Sequence, residues 1–184
     1  RLRFASMAEV AAADWAQEER AEWEDWSPTV HEFLIESGCV AGGLFDLETS
    51  QLYGVAPTEG DEGTTRLLQP PHTKKQYAED GKHQDVLVDE AAGLRLACEG
   101  RNVERGFWMG GKRHHIIMME TIEWTKEHQV RLVFACRKDQ GVYIAVLSGL
   151  AVIGMYSGKP DDGAANTREA VLWLARQMCD WGYT

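Results

Sequence analysis

The strongest constraint in this sequence is a run of four β-strand patterns, of which the last three follow one another through short turns. They span Arg113–Met119, Gln129–Cys136, Val142–Leu147 and Leu150–Tyr156. In the second pattern, Leu132, Phe134 and Cys136 alternate with Arg131, Val133 and Ala135, and Arg137 continues the second set. Ser148-Gly149 is typical of a two-residue hairpin turn between the last two strands. Short connections of this kind join antiparallel neighbours, so the sequence predicts an antiparallel sheet.

Helical patterns flank these strands. Ser27 is a suitable N-cap and Pro28 suits the first turn of a helix that ends at Gly38. The runs Cys39–Phe45 and Gln51–Ala56 predict a hairpin, and a middle helix is expected from Val88 to about Glu99. Asn166 and Glu169 stand at capping-box spacing and predict the start of a last helix that ends at Gly182. The order of these elements indicates an α+β fold.

One domain of residues 25–184 accounts for this pattern, together with an N-terminal extension and an insertion within the domain. Residues 1–24 lack an apolar stripe at helical spacing and predict an N-terminal extension that is disordered or loosely helical. Residues 57–85 change from acidic to proline-containing to basic, which indicates a polar insertion that forms a mobile lobe.

The net charge of the protein narrows the classes of partner that it can bind. Lys and Arg number 19 against 29 Asp and Glu, which gives a net charge of −10. A dominant basic footprint is needed for nucleic acid, so we expect neither nucleic-acid binding nor strong binding to anionic membranes. No apolar run approaches the ~18 residues of a membrane span. Four widely spaced cysteines without a CxxC pair indicate buried thiols in a reducing compartment, with a disulfide as the minor alternative.

Aromatic residues concentrate at the two ends of the domain. Trp26 opens the first helix, and Trp173, Trp181 and Tyr183 lie on the last one. If the ends meet, these rings form an apolar groove with N–H and O–H donors at its edge. Such a groove suits rigid, proline-rich peptides, whose carbonyl groups accept hydrogen bonds from those donors.

Catalytic and metal sites are not expected. His114 and His115 are adjacent in a strand and point to opposite faces, so one metal ion cannot take both. Gly110-Gly111-Lys112 lacks the remaining residues of a phosphate-binding loop, and no nucleophile elbow occurs. The sequence therefore predicts a protein that is not an enzyme and needs no cofactor.

The sequence resembles the profilins, and among them it is most similar to the apicomplexan or wider alveolate type. Three segments carry the resemblance: 25–43 from Asp25-Trp26-Ser27-Pro28 to Ala41-Gly42-Gly43, 106–113 with Gly-Phe-Trp-Met-Gly-Gly-Lys-Arg, and 163–183 with its terminal Gly-Tyr. The insertion after Tyr53 stands where the alveolate type carries an extra arm. The resemblance implies a central antiparallel sheet of six to seven strands, with the N- and C-terminal helices packed together on one face.

The resemblance also implies function. It implies a monomeric, cytoplasmic, cytoskeleton-associated protein that binds monomeric actin, regulates filament assembly and meets proline-rich partners such as formins. The matching positions for proline-rich peptides are Trp26, Tyr53 and Tyr183, with Trp173 extending the set. Thr29 and Gln177 depart from the family pattern, which implies weak peptide binding. The matching positions for actin are Arg113, His115, Ile117, Arg137, Lys138, Asn166 and Arg168.

Other interpretations remain open at this point. The terminal aromatics could simply pack two helices together, and the basic residues could be ordinary solvated surface. A small-ligand sensor or adaptor module of PAS, GAF or roadblock-like layout has a similar order of elements, and a sensor would need an internal cavity. A hydrolase that uses His114 or His115 would need a polar cleft.

Overall fold

The computed structural model of this protein describes residues 25–59, 62–77, 83–101, 106–124, 128–158 and 160–183. The predicted extension of residues 1–24 lies outside the described residues. No described helix is long and apolar enough to cross a membrane.

Seven of the described strands form one antiparallel sheet in the order β2-β1-β9-β8-β7-β6-β5, and β3 and β4 pair separately. The strands are β1 Ala41–Asp46, β2 Leu52–Ala56, β3 His72–Tyr77, β4 His83–Val88, β5 Phe107–Met109, β6 Lys112–Glu123, β7 Gln129–Arg137, β8 Gln140–Val146 and β9 Leu150–Ser157. Neighbours in the chain from β5 to β9 pair as hairpins, so the predicted meander and the predicted number of strands are confirmed.

Helices cover both faces of the sheet. Helix α1 (Ser27–Val30) continues into a π-helical turn at His31–Ile35, and the remaining helices are α2 Glu62–Leu67, α3 Glu90–Cys98 and α4 Pro160–Asp180. Helix α1 with its π-helical turn packs against β1 and β2, whereas α4 packs against β8, β9 and the π-helical turn. The expected α+β class, with the terminal helices together on one face, is therefore confirmed.

Each face of the sheet has its own hydrophobic core. On the face of the terminal helices, Val30, Leu34, Val171 and Leu174 pack with Leu132. On the other face, Leu67, Leu94, Phe45, Val133 and Ala135 pack together. Leu132 therefore lies in the first core and its neighbour Val133 in the second, as strand alternation predicts.

Three predicted helix starts are wrong. The middle helix α3 begins at Glu90 with Asp89 as its N-cap, because Val88 is the last residue of β4. Helix α4 begins at Pro160, six residues before the predicted cap at Asn166, because proline is well suited to a first helical turn and Gly163-Ala164-Ala165 continues the helix. The N-cap of α1 is Trp26, and the Ser27 side chain does not cap the helix. Its hydroxyl instead accepts a hydrogen bond from the Val55 backbone N–H at 3.3 Å, which ties the helix to β2.

The polar segment 57–85 has regular structure of its own, namely helix α2 and a hairpin in which β3 pairs with β4 along its length. The fully buried carboxylate of Glu90 joins this segment to the body. Its two oxygens accept hydrogen bonds from the backbone N–H groups of Gln69 (2.8 Å) and Gly111 (2.7 Å). The alternation of β3 and β4 is hard to recognise in the sequence because polar residues occupy both faces.

A pair of glycines lets the terminal helices approach the sheet closely. Gly42 and Gly154 are direct cross-strand partners on β1 and β9. A Cβ atom on Gly42 would lie 2.4 Å from Cδ1 of Leu34, and one on Gly154 would lie 2.5 Å from Cγ2 of Val171. Both helix residues are fully buried, so a larger residue in the sheet has no room.

We expect Gly154→Ala to lower the free energy of unfolding by about 1–3 kcal/mol, because the added methyl group overpacks the contact with Val171. Urea denaturation measures this change. Gly149→Ala is the matched control, since a Cβ there meets nothing within 4 Å. Equal stability of the two variants would contradict the close approach of α4.

His114 is buried on the face opposite its exposed neighbour His115. The Nδ1 atom lies 3.1 Å from the Lys112 carbonyl oxygen, and Nε2 is buried without a hydrogen-bond partner among the described residues. Burial lowers the pKa of the His114 imidazole from its ordinary value of 6.5, and the nearby positive charges of Arg137 and Lys112 lower this pKa further.

Because the pKa of His114 is lower in the folded state, protonation favours unfolding. The stabilisation is complete above pH 6.5 and is lost as the pH falls below it. Because of His114, we expect the free energy of unfolding to be lower at pH 5.5 than at pH 7.5. The loss should largely disappear in His114→Gln and persist in the control His115→Gln; an unchanged loss in His114→Gln would contradict the assignment.

Candidate peptide- and protein-binding surfaces

The two ends of the described chain meet through aromatic rings. The ring centroid of Trp26, at the start of α1, lies 5.7 Å from that of Trp181 at the end of α4. Tyr183 meets the same indole edge-on, with the centroids 5.2 Å apart. These separations are those of favourable aromatic pairs, so the rings hold the helix ends together.

Phe33 extends this contact along the groove between the helices. Its ring stacks on Trp173 at 4.4 Å and meets Trp181 edge-on at 6.3 Å. Phe33 lies in the π-helical turn, an irregularity that is frequent at functional sites. The result is a continuous series of rings, hereafter the aromatic row: Tyr183, Trp26, Trp181, Phe33 and Trp173.

The aromatic row is accessible from one side. Trp173, Trp181 and Tyr183 are 54%, 46% and 42% exposed and are among the largest exposed apolar side chains of the described residues. Large exposed aromatic surfaces of this kind mark interaction sites more often than they mark simple packing. The row can therefore offer flat apolar faces together with N–H and O–H donors to a ligand.

Tyr53 and Gly54 support the Trp26 end of the row. Burial raises the pKa of the Tyr53 phenol, and the neighbouring Asp46 and Tyr183 raise this pKa further, so the phenol keeps its proton. A Cβ atom on Gly54 would lie 2.6 Å from Cβ of Trp26, so only glycine lets this indole lie so close to β2.

The structure brings together all four residues that the sequence suggested for peptide binding. Trp26, Tyr53 and Tyr183 lie at one end of the groove, and Trp173 lies at the other. Phe33 and Trp181 connect them; Trp181 was expected among the rings of the groove, whereas Phe33 was not. Trp181 is 46% exposed beside Trp26, because α4 ends at Asp180 and Trp181 lies in the turn that follows.

A second surface lies on the same face of the sheet, beyond α4. Helix α4 covers β8 and β9, and β7 and β6 continue the sheet past it. Two residues of β6 are paired on this face with partly exposed residues of β7, His115 with Cys136 and Met118 with Phe134. Glu120 continues the face of β6 next to Leu132, which is buried beneath α4. We call this surface the sheet strip.

Ile117 interrupts the alternation of β6. The register shifts between Ile116 and Met118, which makes Ile117 the extra residue of a β-bulge. Met118, rather than Ile117, is therefore the partner of Phe134, and the alternation that puts Arg113 and His115 on one face ends at the bulge. Ile117 itself is 59% exposed.

Arg168 reaches from α4 to the sheet strip. Its Nη2 atom lies 2.9 Å from Oε1 of Glu120, and both side chains are more than a third exposed. Beside this pair, Phe134 stacks on Tyr143 at 4.6 Å, and Tyr143 is 6.4 Å from Tyr156. The stacked rings form an apolar surface in the strip beside the ion pair of Arg168 and Glu120.

Positive charges gather at one end of the strip. Arg137 and Lys138 are exposed at the turn between β7 and β8, where Lys138 has a positive φ of 45°. Strand alternation directs Arg137 and Lys112 to the face of His114, opposite the strip, and there the Nζ atom of Lys112 donates to Oε1 of Gln140 at 3.0 Å. With Arg113 on β6, these residues form a basic corner on a chain whose net charge is −10.

Asn166 is not brought to the sheet strip. Two residues along a helix correspond to a rotation of about 200°, so Asn166 and Arg168 lie on nearly opposite sides of α4. Asn166 lines a depression between α4 and the π-helical turn, together with Glu36 and Trp173.

The four cysteines are free thiols; Cys39 and Cys98 are buried as expected, whereas Cys136 and Cys179 are only half-buried. Burial raises the pKa of Cys39 and that of Cys98, the latter to about 12. Among the described residues, no group of three His, Cys, Asp or Glu side chains could hold a metal ion.

Solved structures of profilins resemble this protein along nearly their whole length. The Schizosaccharomyces pombe profilin superposes with a TM-score of 0.58 at 12% identity, covering 86% of this chain and 100% of that chain. Acanthamoeba castellanii profilins IA and IB give TM-scores of 0.54 and 0.53 at 13% and 14% identity, each over 86% of this chain and 99% of the other. No protein-family model matches the sequence, and no curated protein matches it significantly. At these identities the comparison shows that the chain has the profilin fold.

We expect the Arg168–Glu120 pair to contribute little to stability, because both side chains are well exposed to solvent. A double-mutant cycle with Arg168→Gln and Glu120→Gln, measured by urea denaturation, should give a coupling of at most about 1 kcal/mol. A coupling several times larger would mean that the pair is an internal part of the fold rather than a component of a binding surface.

Proposed function

We propose that this protein binds monomeric actin through the sheet strip and its basic corner, and thereby regulates filament assembly. The observation that supports this most is the strip itself: an apolar centre of Met118 and Phe134, with Arg113 on the same face of β6 and Lys138 in the adjacent turn. Strand alternation directs Arg137 to the opposite face, so Arg137 borders the strip only from the end of β7. An apolar centre with a charged rim is the usual anatomy of a protein interface. A basic rim suits an acidic partner and accelerates association at low ionic strength.

The mechanism that follows is stoichiometric. The protein occupies one end of an actin monomer, which blocks nucleation and pointed-end addition and still permits delivery of the monomer to barbed ends. Arg113, His115, Ile117, Arg137, Lys138 and Arg168 are the residues we assign to the contact. The position of Asn166 on the other side of α4 argues against its place in this set.

A second site for proline-rich peptides lies on the aromatic row. Polyproline II helices are already extended in the free peptide, so they lose little conformational entropy when they dock on aromatic grooves. Trp26, Tyr53, Trp173 and Tyr183 are assigned to this contact, and Phe33 and Trp181 complete it. Proline-rich actin nucleators such as formins are the expected partners.

The sequence resemblance to profilins supports the remaining parts of the proposal. The protein acts as a non-enzymatic monomer in the cytoplasm, in association with the cytoskeleton. The alveolate type among the profilins is proposed on the sequence resemblance alone, and the hairpin of β3 and β4 lies within the insertion after Tyr53.

Actin assembly kinetics test the first part of this proposal. At low salt, with the protein in several-fold excess over actin, we expect spontaneous assembly to show a longer lag and a lower rate. Unchanged kinetics under these conditions would remove actin-monomer binding from the account.

The basic corner has its own test. Arg137→Glu should weaken the effect on assembly about tenfold or more, since it places a negative charge against an acidic partner. Arg101→Glu is the matched control, because Arg101 is exposed and follows α3, which packs on the opposite face of the sheet. Binding of octaproline to Arg137→Glu should remain unchanged; a joint loss of both activities would contradict two separate surfaces.

A further inference from the structure

The aromatic row ends at Trp173 in a depression that carries two carboxylates. The depression measures about 510 Å³ and lies between α4 and the π-helical turn. It is lined by Glu36, Ser37, Asn166, Glu169, Ala170 and Trp173. An exposed indole and two acids therefore share one concave surface.

Each helix contributes one ring and one acid to this end of the groove. Glu169 and Trp173 are four residues apart on α4, which places them one above the other on one face of the helix. Glu36 follows Phe33 by three residues at the end of the π-helical turn, and the rings of Phe33 and Trp173 are stacked. The two carboxylates therefore adjoin the stacked rings from both sides.

The charges of this depression are not compensated within the described part of the chain. Glu36 and Glu169 are exposed, and neither forms an ion pair or a side-chain hydrogen bond with a described residue. Arg168 is engaged with Glu120, and Arg176 is not among the lining residues. Glu36 also borders a neighbouring depression with Asp25, Glu32 and His31, which extends the negative region.

We propose that the aromatic row selects proline-rich peptides that carry a lysine or arginine directly beyond the proline run, at the Trp173 end. The charged side chain lies over the exposed indole of Trp173 and pairs with Glu36 and Glu169. Attraction to an indole face and to carboxylates at exposed sites favours a cation over a neutral or acidic residue. This inference rests on the proposed peptide-binding function and adds the chemistry of the flanking residue.

The length of the aromatic row sets how many prolines precede the basic residue. Its four ring-to-ring steps of 5.2, 5.7, 6.3 and 4.4 Å give an upper limit of about 22 Å, which corresponds to about seven residues at ~3.1 Å per residue of polyproline II. A basic residue next to a run of seven or eight prolines therefore reaches the depression.

Tryptophan fluorescence titrations with four peptides test the selection. The peptides are octaproline, octaproline with an N-terminal arginine, octaproline with a C-terminal arginine, and octaproline with a glutamate at the end where arginine binds more tightly. At low salt, one of the arginine peptides should bind about three- to tenfold more tightly than octaproline, and the glutamate peptide should bind more weakly. The difference should shrink at high salt because the charges are exposed.

Variants that remove charges test whether the preference for arginine depends on Glu36 and Glu169. The double variant Glu36→Gln, Glu169→Gln should bind the arginine peptide and octaproline within about twofold of each other. Asp85→Asn with Asp139→Asn removes the same number of charges elsewhere and should leave the preference intact. An equal reduction in both double variants would mean general attraction to an acidic protein and would overturn the proposal.

The outcomes separate this inference from the function on which it rests. Equal binding of all four peptides would overturn the selection and leave the peptide site in place. Absence of binding by every peptide would overturn both.

Discussion

The close approach of the two terminal helices to the sheet is the constraint on which the rest of the molecule depends. Gly42 and Gly154 form a direct cross-strand pair beneath Leu34 and Val171, so both helices lie closer to the sheet than any side chain there would allow. This contact places α1, its π-helical turn and α4 side by side, which brings Trp26 against Trp181 and Phe33 against Trp173. It also confines α4 to β8 and β9 and leaves the sheet strip uncovered.

Two surfaces of different chemistry result on one face of the sheet, with α4 between them. The aromatic row has no charged side chain of its own and ends between two carboxylates, whereas the sheet strip ends in a basic corner. On a chain with a net charge of −10, such a local concentration of positive charge directs an acidic partner to one edge. Arg168 and Asn166 illustrate the division, because two positions on one helix point to opposite surfaces.

Strand alternation and turn signals were sufficient to predict the sheet, since Leu132 and Val133 fall in separate cores, as a period of two requires. The predicted site residues Trp26, Tyr53 and Tyr183 also meet at one end of the groove, and Trp173 lies at its other end. The sequence could not locate what depends on tertiary packing. Nothing in the sequence placed Phe33 in the groove between the helices, and Ile117 gave no sign of a bulge in β6. Asn166 resembled a helix cap because the first six residues of α4 lack an apolar stripe.

The most direct measurement of the central claim, two separate binding surfaces on one face, follows a fluorescently labelled octaproline by its anisotropy. The peptide is first bound to the protein, and monomeric actin is then added at low salt. We expect a further rise in anisotropy, because the peptide on the aromatic row and actin on the sheet strip are held in one ternary complex. A fall to the value of the free peptide, or no change at saturating actin, would contradict the account.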